Sequence, residues 1–363
     1  MKILHVIDDM NMGGAQSLLV ELVPVQIQMG HEVKVLELSR SKDATLTEKL
    51  SKLGVEVDSL SAKMSCRNPY NIVSLIPYMR KYDVVHAHLF PANYWVALAK
   101  VFSFSKVPII ATEHSTDNKR RHNAIFRFID NLIYGRYQEV VACSDKALET
   151  LIAVYPRINS SVIPNGVNVN RYIDADQYDK SALGPMSDNT FVSTMVARFD
   201  YPKRQDILVK AISMLPQKYH CVFVGGTEMS HNVRKVKQLA SELGVSDRVH
   251  FLNTRPDVPQ ILKTSDAIVM VSEYEGLSLS SIEGMASGRP FIASDVNGLR
   301  EVVGGAGELF ACEDYKHLAD IILKLSEDQV YYNDIVSKCL VRANDYNITA
   351  TAEKYINVYT KYA

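Results

Sequence analysis

Two hydrophobic periods alternate along this chain, and that alternation restricts its fold more than any other feature. Short runs rich in Val and Ile recur at 2–7, 33–38, 55–60, 83–87, 107–112, 139–143 and 161–163. Between them lie stretches of helical spacing near 14–29, 45–53, 70–81, 91–102, 122–135 and 144–154. Strand and helix signals in strict succession predict βαβ units and parallel sheets. From about 165 to 190 the period fails and Asn, Asp, Gly and Pro accumulate, which reads as a linker. A second series follows, with strands at 191–196, 219–224, 248–252, 267–271, 290–293 and 308–310. Its helices are predicted near 204–214, 231–243, 257–263, 279–287 and 314–325, with a helical tail at 328–344 and 348–362. At 363 residues the chain is too long for one comfortable core. The expectation is therefore α/β, with two Rossmann-like doubly wound domains spanning 1–168 and 169–347. Such sheets bind ligands outside the carboxyl ends of their strands, and the motifs below fall at those ends.

Composition excludes several classes. A net charge of -1 gives no global attraction to nucleic acid or to an acidic membrane. The five cysteines are scattered without metal-ligand spacing, as expected of structural thiols in a reducing compartment. The apolar run at the N-terminus stops at Asp8-Asp9, too short for a signal peptide, and no stretch reaches the ~18 apolar residues of a membrane span. The expected location is cytoplasmic, with peripheral contact at the inner membrane face left open.

The densest signal is 266–301. The strand 267–271 leads into Ser272-Glu273-Tyr274-Glu275-Gly276-Leu277-Ser278-Leu279, and the helix that follows carries Glu283 before Gly288-Arg289-Pro290 ends it. Gly276 allows close backbone approach, and Ser278 suits a helix N-terminus. Free N–H groups and the positive dipole end there form an anion site fit for phosphate. Glu275 in the loop and Glu283 inside the helix are too separated in role for an acid–base pair. They suit recognition of sugar and ribose diols, since a carboxylate accepts two hydroxyl bonds. A second element, Ala197-Arg198-Phe199-Asp200-Tyr201-Pro202-Lys203-Arg204, leaves strand 191–196 at its carboxyl end. Arg198 offers bidentate geometry and Lys203 a point charge, and together they could neutralise a diphosphate without a metal.

These segments resemble the signatures of the GT-B retaining glycosyltransferases of family 4. The resemblance extends to the Gly13-Gly14-Ala15 loop after the first strand and to Ile163-Pro164-Asn165-Gly166-Val167 at the domain junction. It implies two domains facing across a cleft, with the C-terminal helix at about 348–363 packed back on the first. It implies catalytic roles for Arg198, Lys203, Glu275 and His114: cations on the diphosphate, Glu275 on the transferred sugar, His114 positioning that sugar. Gly13, Gly14, Glu283, Gly276, Leu277, Ser278, Leu279, Thr254 and Arg255 would complete the donor site, with Glu283 on the ribose and the base near Asn253-Thr254-Arg255. Two positions depart from the pattern, Ala197 and Arg204, where glycine is common. Neither removes a charge needed for phosphate.

In the first domain His114 follows strand 107–112 at its carboxyl edge. Glu113 could bind acceptor or remain a solvated loop charge. His86 and His88 share a strand face but show no third ligand, so they read as hydrogen-bonded strand-end histidines or as neighbours of the acceptor. Asp174-Ala175-Asp176 has no apolar strand leading to it and is not a metal-binding pair. Residues 119–128, Lys119-Arg120-Arg121-His122 followed by an aromatic run, suit either an anionic membrane surface or a solvated helix with one face in the core.

The resemblance implies transfer of a sugar from a nucleotide sugar, UDP being the expected nucleotide, to a glycan or lipid-linked acceptor hydroxyl. Anomeric configuration would be retained, with no metal and no cofactor, in bacterial surface polysaccharide or glycan assembly. Two rivals share the features above: a nucleotide-sugar epimerase of the same fold, and a non-catalytic sugar-nucleotide binding protein.

Overall fold

The computed structural model describes the chain except residues 12, 62–63, 115–122, 228 and 276. It divides into two compact units, Met1–Gly166 with Ile348–Ala363, and Val167–Asn347.

In the first unit the elements run β1 (Lys2–Ile7), α1 (Gly14–Gln28), β2 (Glu32–Glu37), α2 (Thr45–Lys52), β3 (Val57–Ser59), α3 (Asn71–Leu75), β4 (Val84–His88), α4 (Ala92–Ser103), β5 (Ile109–Glu113), α5 (Ala124–Tyr134), β6 (Glu139–Ala142), α6 (Asp145–Val154) and β7 (Ser160–Val162). The strands form one seven-stranded sheet in the order β3-β2-β1-β4-β5-β6-β7, and every pairing is parallel. β4 and β6 are buried along their whole length, as expected of strands covered on both faces. The helix expected over 70–81 is broken: α3 ends at Leu75 and a single tight turn holds Tyr78–Arg80. Pro77 lies between them, with no N–H to continue the ladder.

The second unit contains α7 (Asn170–Ile173), β8 (Phe191–Val196), α8 (Gln205–Met214), β9 (Tyr219–Val224), α9 (His231–Glu242), β10 (Val249–Phe251), α10 (Val258–Thr264), β11 (Ala267–Met270), α11 (Leu279–Ala286), β12 (Phe291–Ser294), α12 (Leu299–Val303), β13 (Glu308–Phe310), α13 (Tyr315–Glu327) and α14 (Gln329–Asp345). Its six strands lie in the order β10-β9-β8-β11-β12-β13, again all parallel. The stretch expected to be a linker is instead built into this unit. Val167, Val169, Tyr172 and Leu183 are buried, and Lys180 Nζ meets Asp266 Oδ2 at 2.8 Å. An irregular segment can bury single side chains without a period, which is why the sequence pattern misses it.

The last helix, α15 (Ile348–Tyr362), belongs to the first unit, where it packs along α1 and buries Ile348, Ala352, Tyr355 and Tyr359.

Candidate active site

In a doubly wound sheet the strand order reverses at one point, and the loops leaving the two strands there diverge and open a crevice. In the second unit that point lies between β8 and β11. The loop after β8 carries Arg198 and Lys203, and the loop after β11 carries Glu275. The backbone stitches the two together: Arg204 N donates to Val271 O at 3.1 Å, Glu273 N donates to Pro202 O at 3.1 Å, and Lys203 bridges Ser272. The Lys203 ammonium then reaches the Glu275 carboxylate in a direct ion pair. Both side chains are largely buried, at 17% and 15% exposure. Each thus supplies the countercharge that the other needs away from solvent, and the pair holds the two loops together.

Arg204, one of the two departures from the family pattern, secures this arrangement. Its Nε donates to Asp206 Oδ1 at 2.9 Å and its Nη1 to Glu273 Oε1 at 2.8 Å, with a further ion pair to Glu313. Its side chain thus ties the β8 loop to the β11 loop and to the segment after β13.

The other residues singled out from sequence fall as follows. Arg198 is on the same loop as Lys203 but does not join the pair. Its guanidinium is 85% exposed, with Asp200 at 3.8 Å. A grip by both cations is therefore not preformed. Ser278 takes the N-cap position of α11, yet its hydroxyl makes no capping bond, so this side chain leaves the helix mouth open to an anion. Leu277 and Leu279 pack on the core of the unit, which fixes the approach of the chain to the helix. Glu283 lies one turn inside α11. Gly276 lies outside the described residues. Thr254 and Arg255 follow β10; Thr254 Oγ1 donates to Gly226 O at 3.3 Å, and Arg255 is committed to Asp257 through contacts of 2.8 and 2.6 Å.

The glycine pair Gly225-Gly226 after β9 belongs to the same edge and escapes the sequence reading. Both adopt positive φ, +122° and +73°. A Cβ at Gly225 would stand 2.3 Å from Ala197 O, so only glycine lets this turn press against the β8 loop. Its signal is two glycines at the carboxyl end of an apolar strand.

In the first unit the order reverses between β1 and β4. Gly13 is the N-cap of α1 in an extended conformation, and a Cβ on Gly14 would meet no atom within 4 Å. Among the described residues nothing fills the space beside position 14. His114 follows β5, and its Nε2 lies 3.2 Å from His88 Nδ1. Glu113 accepts from the Tyr134 hydroxyl at 3.0 Å, so it is a bonded residue rather than a free loop charge. The third ligand missing beside His86 and His88 is supplied by His5, and the three offer nitrogens within 4.8 Å of one another. Every ring nitrogen of the three nevertheless has a hydrogen-bond partner in protein: Gln26, Tyr359, Thr112, His114, and the His5–His88 contact itself. Burial drives His5 and His114 down to about 4, and holds His86 and His88 well below the usual histidine range with help from their neighbours.

Residues 12–171 match the family described as Glycosyltransferase Family 4, and residues 179–339 match Glycosyl transferases group 1. The chain belongs to this glycosyltransferase family. An Escherichia coli relative, UDP-Gal:alpha-D-GlcNAc-diphosphoundecaprenol alpha-1,3-galactosyltransferase, is 25% identical over 313 residues, covering 80% of this chain and 78% of that protein. The lipopolysaccharide core biosynthesis mannosyltransferase LpsB of Rhizobium meliloti is 24% identical over 335 residues, or 88% of this chain and 85% of the relative. The crystal structure of the Anabaena HepE protein in complex with UDP superposes with a TM-score of 0.83 at 21% identity, covering 99% of this chain and 100% of that one. That likeness establishes the fold: the glycosyltransferase has GT-B architecture, built from two Rossmann-like parallel-sheet units. No described helix of this glycosyltransferase is long and apolar enough to cross a membrane.

Proposed function

We propose that this glycosyltransferase moves a hexosyl group from a UDP sugar to a hydroxyl of a glycan or lipid-linked acceptor, with retention at the anomeric carbon. The observation that carries the reading is the Lys203–Glu275 pair at the strand-order reversal of the second sheet, beside the uncapped mouth of α11. A pyrophosphate seated there exchanges the Glu275 carboxylate for its own oxygens on Lys203. Glu275 is then released to accept sugar hydroxyls, and exposed Arg198 folds in as the second cation. Glu283 takes the ribose, and Thr254 and Arg255 flank the base.

The bond from the anomeric carbon to the phosphate oxygen breaks, and its electron pair leaves with the diphosphate, where fixed cations and helix N–H groups receive the charge. The acceptor oxygen bonds to the same face of that carbon, and its proton passes to a donor phosphate oxygen. Protein cations supply the countercharge, so the reaction needs no metal. UDP as the nucleotide is supported by the UDP complex of the HepE neighbour and by the UDP-Gal named for the E. coli relative.

A membrane-associated acceptor is supported by α5. Ile125, Phe128 and Leu132 are 71%, 66% and 50% exposed, with Phe126 and Ile129 beside them. One face of this helix is thus apolar and uncovered, and Lys119-Arg120-Arg121, outside the described residues, precede it in sequence. A helix of this kind lies in the headgroup region of an anionic bilayer. The E. coli relative, named for a diphosphoundecaprenol-linked sugar, supports a lipid-linked acceptor.

The test is a thermal-shift screen of nucleotide sugars in chelator, followed by transfer assays with the stabilising donor. Selective stabilisation names base and sugar together, because ligand binding to the native state adds stability by mass action. An epimerised donor without acceptor would favour the epimerase reading, and binding without transfer to any acceptor extract the scaffold reading.

A further inference from the structure

A line of polar side chains runs through the face of the first sheet that α1 and α15 cover. Gln26 of α1 begins the line. Its Oε1 lies 2.9 Å from His5 Nε2. His5 Nδ1 lies 3.0 Å from His88 Nε2, and His88 Nδ1 lies 3.2 Å from His114 Nε2. Gln26, His5 and His88 are all fully or nearly fully buried. The line ends at His114 Nδ1, a buried atom with no hydrogen-bond partner among the described residues.

A neutral imidazole has one N–H and one lone pair, so the state of one ring dictates the next. Gln26 Oε1 can only accept, which puts a proton on His5 Nε2 and a lone pair on its Nδ1. His88 must then donate from Nε2 and accept at Nδ1. His114 in turn donates from Nε2, and its Nδ1 is left as a lone pair. We propose that Gln26, His5 and His88 form a relay that fixes the His114 tautomer, so that His114 Nδ1, at the carboxyl end of β5, is a hydrogen-bond acceptor for a substrate hydroxyl. This rests on the glycosyltransferase reading for the identity of the hydroxyl. The tautomer itself is a property of the unliganded protein. Gln26, His5 and His88 are positioning residues, acting through His114.

The neighbouring His86 stands outside the relay, with its nitrogens on the Tyr359 hydroxyl at 2.6 Å and Thr112 Oγ1 at 2.7 Å. A metal ion at His5, His86 and His88 would have to displace these bonds and would bring two positive charges beside three uncharged ligands in an apolar core. Hydrogen bonding already accounts for every nitrogen of the three.

The experiment is nitrogen NMR of the full-length protein labelled at histidine, without donor, in the presence and absence of chelator. His114 should show a protonated Nε2 and an unprotonated Nδ1 between pH 6 and 8, unchanged by chelator. Gln26→Met removes the anchoring acceptor and should leave His114 as a mixture of tautomers. Gln26→Glu keeps an acceptor facing His5 and should restore the single form. Steady-state kinetics should follow the tautomer: about a tenfold lower kcat in Gln26→Met, recovered in Gln26→Glu, with UDP affinity unmoved in both. Turning the Gln26 amide over reverses every proton in the line, so a wild-type Nδ1–H at His114 overturns the proposal, as does a chelator-dependent spectrum. The wild-type spectrum decides even where a variant fails to fold. Loss of the UDP site alone would leave the spectrum intact and would count against the donor-site reading only.

Discussion

Lys203 and Glu275 stand 72 residues apart in the chain and form one ion pair, joining the two loops that leave the sheet at its reversal point. In the ligand-free protein each is the other's counterion. On the proposed reading the donor competes with a carboxylate for the lysine, and removing either partner should have opposite effects on UDP.

Lys203→Ala should weaken UDP binding and lower kcat/KM by on the order of 10²- to 10³-fold, equivalent to ~3–4 kcal/mol of leaving-group stabilisation. Calorimetry with UDP and steady-state transfer rates read both. Arg198→Ala, altering an exposed side chain, should leave stability within ~0.5 kcal/mol of wild type while reducing turnover. Full turnover in both variants would refute the diphosphate assignment.

Glu275→Gln releases the lysine from its charged rival. UDP should bind as tightly as to wild type or tighter, while transfer from the complete nucleotide sugar falls at least tenfold. Weaker UDP binding in this variant would argue that the pair holds the loop and does not compete with ligand.

Stability should fall in mild acid. His5, His86, His88 and His114 all have folded-state values below the ordinary 6.5, His5 and His114 at about 4. Between pH 6.5 and 4 the unfolded chain binds more protons than the native one, so stability is present above 6.5 and drains as pH drops. The slope is about 1.4 kcal/mol per pH unit for each histidine so held. Asp8, lifted by burial to about 6, works with the opposite sign but is a single group. Denaturant unfolding at pH 7.5, 6 and 5 measures the balance, and a flat profile would contradict the burial of the histidines.

Phe128→Glu combined with Ile125→Glu should reduce partitioning onto anionic vesicles at least tenfold, about 1.4 kcal/mol. Sedimentation with vesicles measures this, and UDP binding in solution serves as an unchanged control.

Gly225→Ala should destabilise the second unit by ~2 kcal/mol or more, because the new Cβ would sit 2.3 Å from Ala197 O at a φ of +122°. Thermal melts read the loss.

Much of this architecture could be read from the residues. Each described strand overlaps a run predicted as strand, and the central ones, such as β4 and β6, are apolar or buried throughout because helices cover both faces. The loops after β8 and β11 were likewise legible, since charged residues at the carboxyl end of such a strand have few structural uses. What escaped was contact across the chain. Nothing local to Lys203 says that Glu275 is its counterion, or that Arg204 would hold Glu273 and Asp206. His5 sits in an otherwise apolar strand, Lys2-Ile3-Leu4-His5-Val6-Ile7, and that oddity was the available hint of a partner. Its meaning depends on the parallel register that sets His5 opposite His86, which no spacing rule supplies. The segment 167–190 escaped for a different reason: its buried side chains follow no period.

Because α15 comes from the end of the chain yet lies in the first unit, that unit cannot be finished in the order it is made. A ribosome releases Val167–Asn347 whole before it releases Tyr355 and Tyr359, whose hydroxyls bond Thr112 and His86. The second half is free to mature first, while the histidine-lined face waits uncovered for its lid. Removing Tyr355 and Tyr359 should therefore injure the first unit, beginning with Thr112 and His86.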